Sequence, residues 1–460
     1  IGSGTGINKT SNLSPNGNLF PIFQGGTLTV DQDNQTYTQN FTLNSSNKNT
    51  ITNNGYQVRF SGIFSDAPGE SGNITFRPNA NFIEISGKNT YTGKTIVNGN
   101  GTLVSRNGAI PNSSDVYLLS PNSKLAVLGG DEIIASLRST QGTATVDLEG
   151  NNLSLGSASS IPAVFTGSVQ DSSGQGKVIK TGSNLQTLSG TNTYTGATIV
   201  RGGKLSVIGS IKSETTVETR GTLQGSGTIF GDVINEGNVS PGNSIGTLTV
   251  DGNYVQGLTN PNANLNIEVD GSSSDLLKIT GDNRVVLLGG NLNISSIPGT
   301  HFTPGVTYTA IDVTGQGGTG GELNLQTDLS GVVGSSGYLF ARETNPAFAR
   351  IDQSYYDTCT SPDPNIQKNC TKLQFAWLQV AKNPDPSKGT KQVATPTGSV
   401  AVVAPSSNQS PSQTINQVKQ TGGAITTASS GNSNTNTDTC TANTGNAAAC
   451  QQQNKSGSGL

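Results

Sequence analysis

The sequence predicts an all-β fold: a β-solenoid of short stacked strands followed by a flexible, low-complexity C-terminal tail. Three observations carry that expectation. No sustained helical periodicity runs through the first 340 residues, and one short strand phrase keeps returning. Glycine supplies 60 of 460 residues, about twice its usual share of roughly 7%.

The phrase is a glycine followed by three or four residues that alternate Leu or Val with Thr or Ser. Gly26–Val30, Gly101–Ser105, Gly203–Val207, Gly221–Gln224 and Gly246–Val250 are variants of it. Alternation puts the apolar residues on one side of a strand, and Gly and Asn supply the positive φ that tight corners need. The longest internal match sets Ser86–Val97 (SGKNTYTGKTIV) against Ser189–Val200 (SGTNTYTGATIV). Self-similar short strands without helices between them mark a solenoid. One coil cannot bury its few apolar side chains, but coils stacked ~4.8 Å apart align them into a narrow core. Such a core needs few apolar residues, which accommodates a hydrophobic share of only 31%. At roughly 20–25 residues per coil, 340 residues give about 15 coils and a rod of about 70 Å. A stack of β-sandwiches is the alternative, and it calls for longer strands and more aromatics than the 5% present.

Organisation follows from the same pattern. Coils occupy 1–220, the end of the solenoid 221–340, a Cys-containing cap 341–385, and a Pro/Ser/Thr/Asn/Gln-rich linker 386–460. The cap includes one more alternating strand, Leu373–Val380, whose Trp377 is expected to plug an end of the core. The segments 31–85 and 105–185 break the repeat and read as insertions. The four cysteines form two close pairs, Cys359 with Cys370 and Cys440 with Cys450, spaced unlike zinc ligands. They read as extracytoplasmic disulfides, with free thiols as the alternative.

Composition narrows function. Charged residues are 12% and net charge is −3, so no nucleic-acid partner is expected. The single His301 rules out two-His metal sites, and no metal or cofactor is expected. No apolar run reaches the ~18 residues of a membrane helix. With no signal peptide before Ile1 and no Met at all, the chain reads as a processed or excised segment.

Candidate chemistry is confined to a few motifs. Gly242–Gly246 (GNSIG) has nucleophile-elbow spacing around Ser244, but strand-like residues follow where that motif needs a helix. Gly87–Thr95 approaches a phosphate loop with one residue too many between its glycines. Asp31 and Asp33 would share one strand face, Asp131 and Glu132 would point oppositely, and Glu268, Asp270 and Asp275 form the closest acidic cluster. Tyr91 and Tyr194 hold equivalent repeat positions; they are candidate sugar contacts, with an interior or turn role preferred. External Asn and Thr ladders would suit either glycan contact or self-association.

The two SGxNTYTGxTIV units resemble the repeat of bacterial autotransporter passenger domains. The run Gly221–Tyr254, with Leu265–Gly271 and Ser274–Ile279, resembles the C-terminal end of a passenger β-helix, the autochaperone region. Its motif residues here are Ser240, Pro241, Gly242, Asn243, Ser244 and Gly246. The resemblance implies a right-handed parallel β-helix exported across the periplasm through its own C-terminal β-barrel, which this sequence lacks, to the outer-membrane surface or beyond. It also implies a non-catalytic adhesin or self-associating surface protein whose partner is a host-cell protein or glycan, or a second copy. A secreted toxin is the alternative, and a polysaccharide-degrading enzyme a weaker one.

Overall fold

The computed structural model describes residues 22–23, 25–45, 49–156, 161–281, 285–297, 307–314, 322–325, 347–351 and 372–379. The chain divides into two units, Ile1–Thr427 and Ala428–Leu460, and every described residue belongs to the first. The expected disulfides, Cys359 with Cys370 and Cys440 with Cys450, lie outside the described residues. So do His301, the linker 386–460 and the side chain of Trp377.

The described chain is all β: parallel strands, mostly of three to five residues, stacked as a solenoid of about 11 turns without a helix. Most coils contribute a strand to three successive faces, although face three has no strand between Phe64–Asp66 and Glu132–Ile134. In the first half, face one is a six-stranded sheet from Thr27–Thr29 to Ser136–Arg138. Face two is a seven-stranded sheet from Gln35–Tyr37 to Ser168–Gln170, and face three begins with Ile22–Phe23, Phe41–Leu43 and Phe64–Asp66. In the second half, sheets of eight, eight and nine strands carry the three faces onward. Face one crosses between halves through a parallel bridge from Ser139 to Phe165. There the Gln186 side-chain amide also pairs with both backbone groups of Leu137, at 2.8 and 3.1 Å, as a strand residue would. The stack continues through residues 220 and 221 in register, Leu205 over Leu223 over Val239.

Parallel register places like residues above like. Ile211, Ile229, Val250, Ile279 and Val313 form one inward column, and all are buried. A three-residue strand contributes one or two such side chains, so stability accrues coil on coil. Corners require glycine where coils nearly touch. A Cβ on Gly190 would sit 2.1 Å from the Gly167 carbonyl oxygen, one on Gly209 2.1 Å from that of Gly190, and one on Gly227 2.2 Å from that of Gly209.

Three sequence expectations need correction. The coils are fewer than 15 because late ones lengthen: Tyr254 pairs with Val286, and Val286 with Leu323. The segments 31–85 and 105–185 are regular coils rather than insertions. In 31–85, Phe41, Phe60 and Phe64 fill inward positions, which hides the Leu/Val phrase. Asp31 and Asp33 occupy the turn before Gln35–Tyr37 rather than a strand, and Asp33 accepts the Gln57 N–H at 2.9 Å. The strand expected near Trp377 is present as Lys372–Gln379. It pairs antiparallel with Thr307–Thr314 and Ala347–Ile351, ending the parallel edge of face two.

Candidate functional site

Each copy of the repeated unit crosses a corner between two strands, and its Asn89, Tyr91 and Thr95, or Asn192, Tyr194 and Thr198, turn inward. Tyr91 and Tyr194 are fully buried. The Tyr91 hydroxyl lies 2.7 Å from Thr95 Oγ1, which lies 2.8 Å from Ser114 Oγ in the next coil; Ser114 donates to the Gly93 carbonyl at 2.8 Å. Each hydroxyl has one hydrogen, so the relay runs Tyr91 to Thr95 to Ser114 to Gly93. Tyr194, Thr198 and Ser213 repeat it at 2.6 and 2.7 Å. Burial pushes the Tyr194 phenol up to about 12 and Tyr91 higher still, so both remain donors. Burial therefore removes Tyr91 and Tyr194 as ligand contacts.

The asparagine two residues earlier is the element that sequence reasoning missed. Asn89 Oδ1 accepts the Phe64 N–H of the preceding coil at 2.7 Å, and its Nδ2 donates to the Ala109 carbonyl of the following coil at 2.8 Å. Asn192 does the same between Val169 N–H and the Ser210 carbonyl, both at 2.9 Å. Each amide stands in for a strand residue, satisfying backbone groups that burial would otherwise leave costly. Identical asparagines at matched positions of both copies were the available signal. The copies differ in placement: Thr95–Val97 lies on face one and Thr198–Val200 on face three.

Burial shifts the titration of Glu132, Lys180 and Asp275. Glu132 accepts from the Ser105 hydroxyl, its other oxygen has no hydrogen-bond partner, and burial pushes the carboxyl up to about 7. Asp131 beside it is exposed and holds Asn152, so the two do point oppositely. Lys180 turns inward and donates to main-chain carbonyls of Thr181 and Gly202; burial lowers its ammonium to about 8. Asp275 is raised to about 7 by burial, against the pull of the Gly246 and Glu268 N–H groups, each at 2.9 Å.

Asp275 thereby anchors the loop that follows Ser240 and Pro241 in the strand Asn238–Pro241. Gly242 pairs with Gly225 in an antiparallel bridge, through N–H···O contacts of 2.8 and 3.0 Å. Asn243 Oδ1 accepts from Gln224 at 2.7 Å and from Ser206, two coils back, at 3.1 Å. Ser244 is exposed, and the strand Thr247–Val250 follows, so no strand-to-helix elbow forms around it. On the outer side of face one, asparagines form the expected ladder. Asn264 donates to Asn238 at 3.0 Å, and Asn291 and Asn293 each donate to Asn264 at 3.1 Å.

Two segments, residues 84–104 and 178–207, match the passenger-associated-transport-repeat family, and they contain the two copies just described. No curated protein matches the chain. The repeat match and the solenoid together support an autotransporter passenger domain, and that family is exported to the cell surface or extracellular space.

Proposed function

We propose that this passenger domain, a β-solenoid with two passenger-associated-transport-repeats, works by binding rather than catalysis, as an adhesin or self-associating protein displayed on or released from an outer membrane. One observation carries the reading: Asn89, Tyr91 and Thr95 of one repeat, and Asn192, Tyr194 and Thr198 of the other, are spent inside, joining coil to coil, which leaves recognition to the outer faces. The outward Asn238–Asn264–Asn291 ladder adds a regular array of amides suited to a glycan or to another copy.

Attachment of protein-coated beads to epithelial cells and to one another tests this, with denatured protein as control. Saturable attachment or clumping that denaturation abolishes is the expected result. Beads inert in both formats would refute it, and so would hydrolysis of a polysaccharide that disappears in a folded Ser244→Ala variant.

The segment 221–340 is proposed to seed folding of the coils before it. The 242–246 loop supports this, because Asn243 and Asp275 tie it to coils on both sides. A chain truncated after residue 220 is expected to refold slowly and lose protease resistance; normal refolding of that fragment would overturn the seeding role.

A further inference from the structure

The outer face of the first repeat carries a cluster that the scaffold does not need. Face-one register stacks Ile96, Tyr117 and Arg138 in one outward row over three successive coils. Tyr117 is half-exposed. The Lys94 ammonium, on the exposed corner before the strand Thr95–Val97, lies 5.1 Å from the Tyr117 ring centre. The Arg138 guanidinium carbon lies 5.7 Å from the same centre. Both fall inside the roughly 6 Å reach of a cation–π contact, so one ring is served by two positive charges.

Neither cation is neutralised by a carboxylate among the described residues. Arg138 is held by neutral oxygens: the Pro162 carbonyl at 2.8 Å, the Ile161 carbonyl at 3.3 Å and Ser136 Oγ at 3.1 Å. Those contacts fix its position and leave its charge intact. The nearest acid along the strand, Asp115, accepts from Ser136 at 2.5 Å.

The second repeat supplies an internal control. Its interior repeats the Asn and Tyr–Thr–Ser arrangement of the first. Its outward row runs Ile199, Thr216 and Ile234, and Ala197 stands where the first copy has Lys94. The same local scaffold thus forms without the aromatic ring or either cation, so packing does not explain them.

We propose that Lys94, Tyr117 and Arg138 form a binding site for an anionic saccharide, with the ring stacking on a sugar face and the two cations meeting its carboxylate or sulfate groups. Three coils at ~4.8 Å span about the length of a disaccharide. The site rests on the adhesin reading and gives it a ligand class.

The test compares the wild-type chain with Lys94→Ala/Tyr117→Thr, a pair of residues already accommodated by the second copy, and circular dichroism confirms that both fold. Titrations use a heparin oligosaccharide, an oligogalacturonate and neutral dextran, which separate sulfate from carboxylate and charge from stacking alone. Binding to one or both anionic probes is expected, weakening as salt rises from about 0.05 to about 0.5 M. The variant should lose tenfold or more, and dextran should not bind. Equal binding by variant and wild type, equal binding of dextran, or no binding of any probe overturns the site. Bead attachment run on the same two proteins keeps the readings apart. Attachment unchanged in the variant and insensitive to anionic probes removes this site and leaves the adhesin. Variant-sensitive glycan binding without attachment in either bead format removes the adhesin and leaves the site.

Discussion

The first coils and the last fill similar three-faced interiors with different chemistry. Near the start, Phe23, Tyr37, Phe41, Phe60, Phe64 and Phe76 form one aromatic stack, with Phe41 and Phe64 parallel at 4.9 Å and Tyr37 and Phe60 at 5.0 Å. Near the end, Asn235 donates to Gln256 Oε1 at 2.9 Å, to the Tyr254 hydroxyl at 3.2 Å and to the Asn264 carbonyl at 2.9 Å. Gln256 passes the chain on to the Gly289 carbonyl at 2.8 Å. Rings fill volume and tolerate small slips, whereas the amides are satisfied only when each coil presents the right donor and acceptor. Ring bulk dominates the early interior, where Asn49 and Asn89 also bridge coils, whereas linked amide side chains dominate the late one.

Breaking the aromatic stack should give the largest effect. Phe64→Ala is expected to cost about 3–5 kcal/mol, concentrated in the early coils, because Phe41, Phe60 and Phe76 all lose a ring neighbour. Hydrogen exchange resolves it: protection should fall over 22–100 and persist beyond 200, and a uniform loss would mean that the halves share one cooperative unit.

Glu132 tests the middle. Its carboxyl stays protonated in the fold up to about pH 7, while the unfolded chain ionises it above about 4.5. The native state therefore binds the extra proton, and stability declines as pH rises through that window, by on the order of 3 kcal/mol. Glu132→Gln should remove this contribution and be the more stable protein at pH 8. Urea unfolding of both proteins at pH 5 and 8 measures it; parallel pH profiles would show that the carboxyl is not protonated inside.

Asn235→Ala should cost roughly 2 kcal/mol by removing the donor to the Asn264 carbonyl and the acceptor of the buried Gly237 N–H. Loss confined to coils after 230 would sharpen the contrast with Phe64, and chemical denaturation monitored by exchange gives the answer. Arg201→Ala removes a pair with Glu218 at 3.2 Å in which both partners are exposed, and less than about 0.5 kcal/mol is expected. A larger loss in a thermal melt would mean that outer faces contribute more than the interior comparison allows.

Much of the fold was legible because Leu223, Leu248 and Val250 sit in strands long enough to show alternation. Legibility ended where inward positions changed residue type. Three-residue strands such as Phe41–Leu43 and Val58–Phe60 show only two inward side chains each, too few for a period to emerge. Within the repeat, Tyr91 and Tyr194 stood out as aromatic, but Asn89 and Asn192 did not. An amide's role depends on which backbone groups lie above and below it, and that is set by stacking between coils. The outward row Ile96–Tyr117–Arg138 was hidden for the same reason, since its members meet only across coils.

The glycine column at Gly167, Gly190, Gly209 and Gly227 has a consequence for how such a chain can diverge. Any change in the first two bases of a glycine codon adds a side chain or ends translation, and at these corners a side chain would strike the carbonyl of the coil beneath. Drift is thus arrested along a line running up the coils, while the outward-facing residues between those corners are freer to vary. Lineages of this protein should differ most on their outward rows and least at their corners, so new specificities can be tried on a frame that does not itself change.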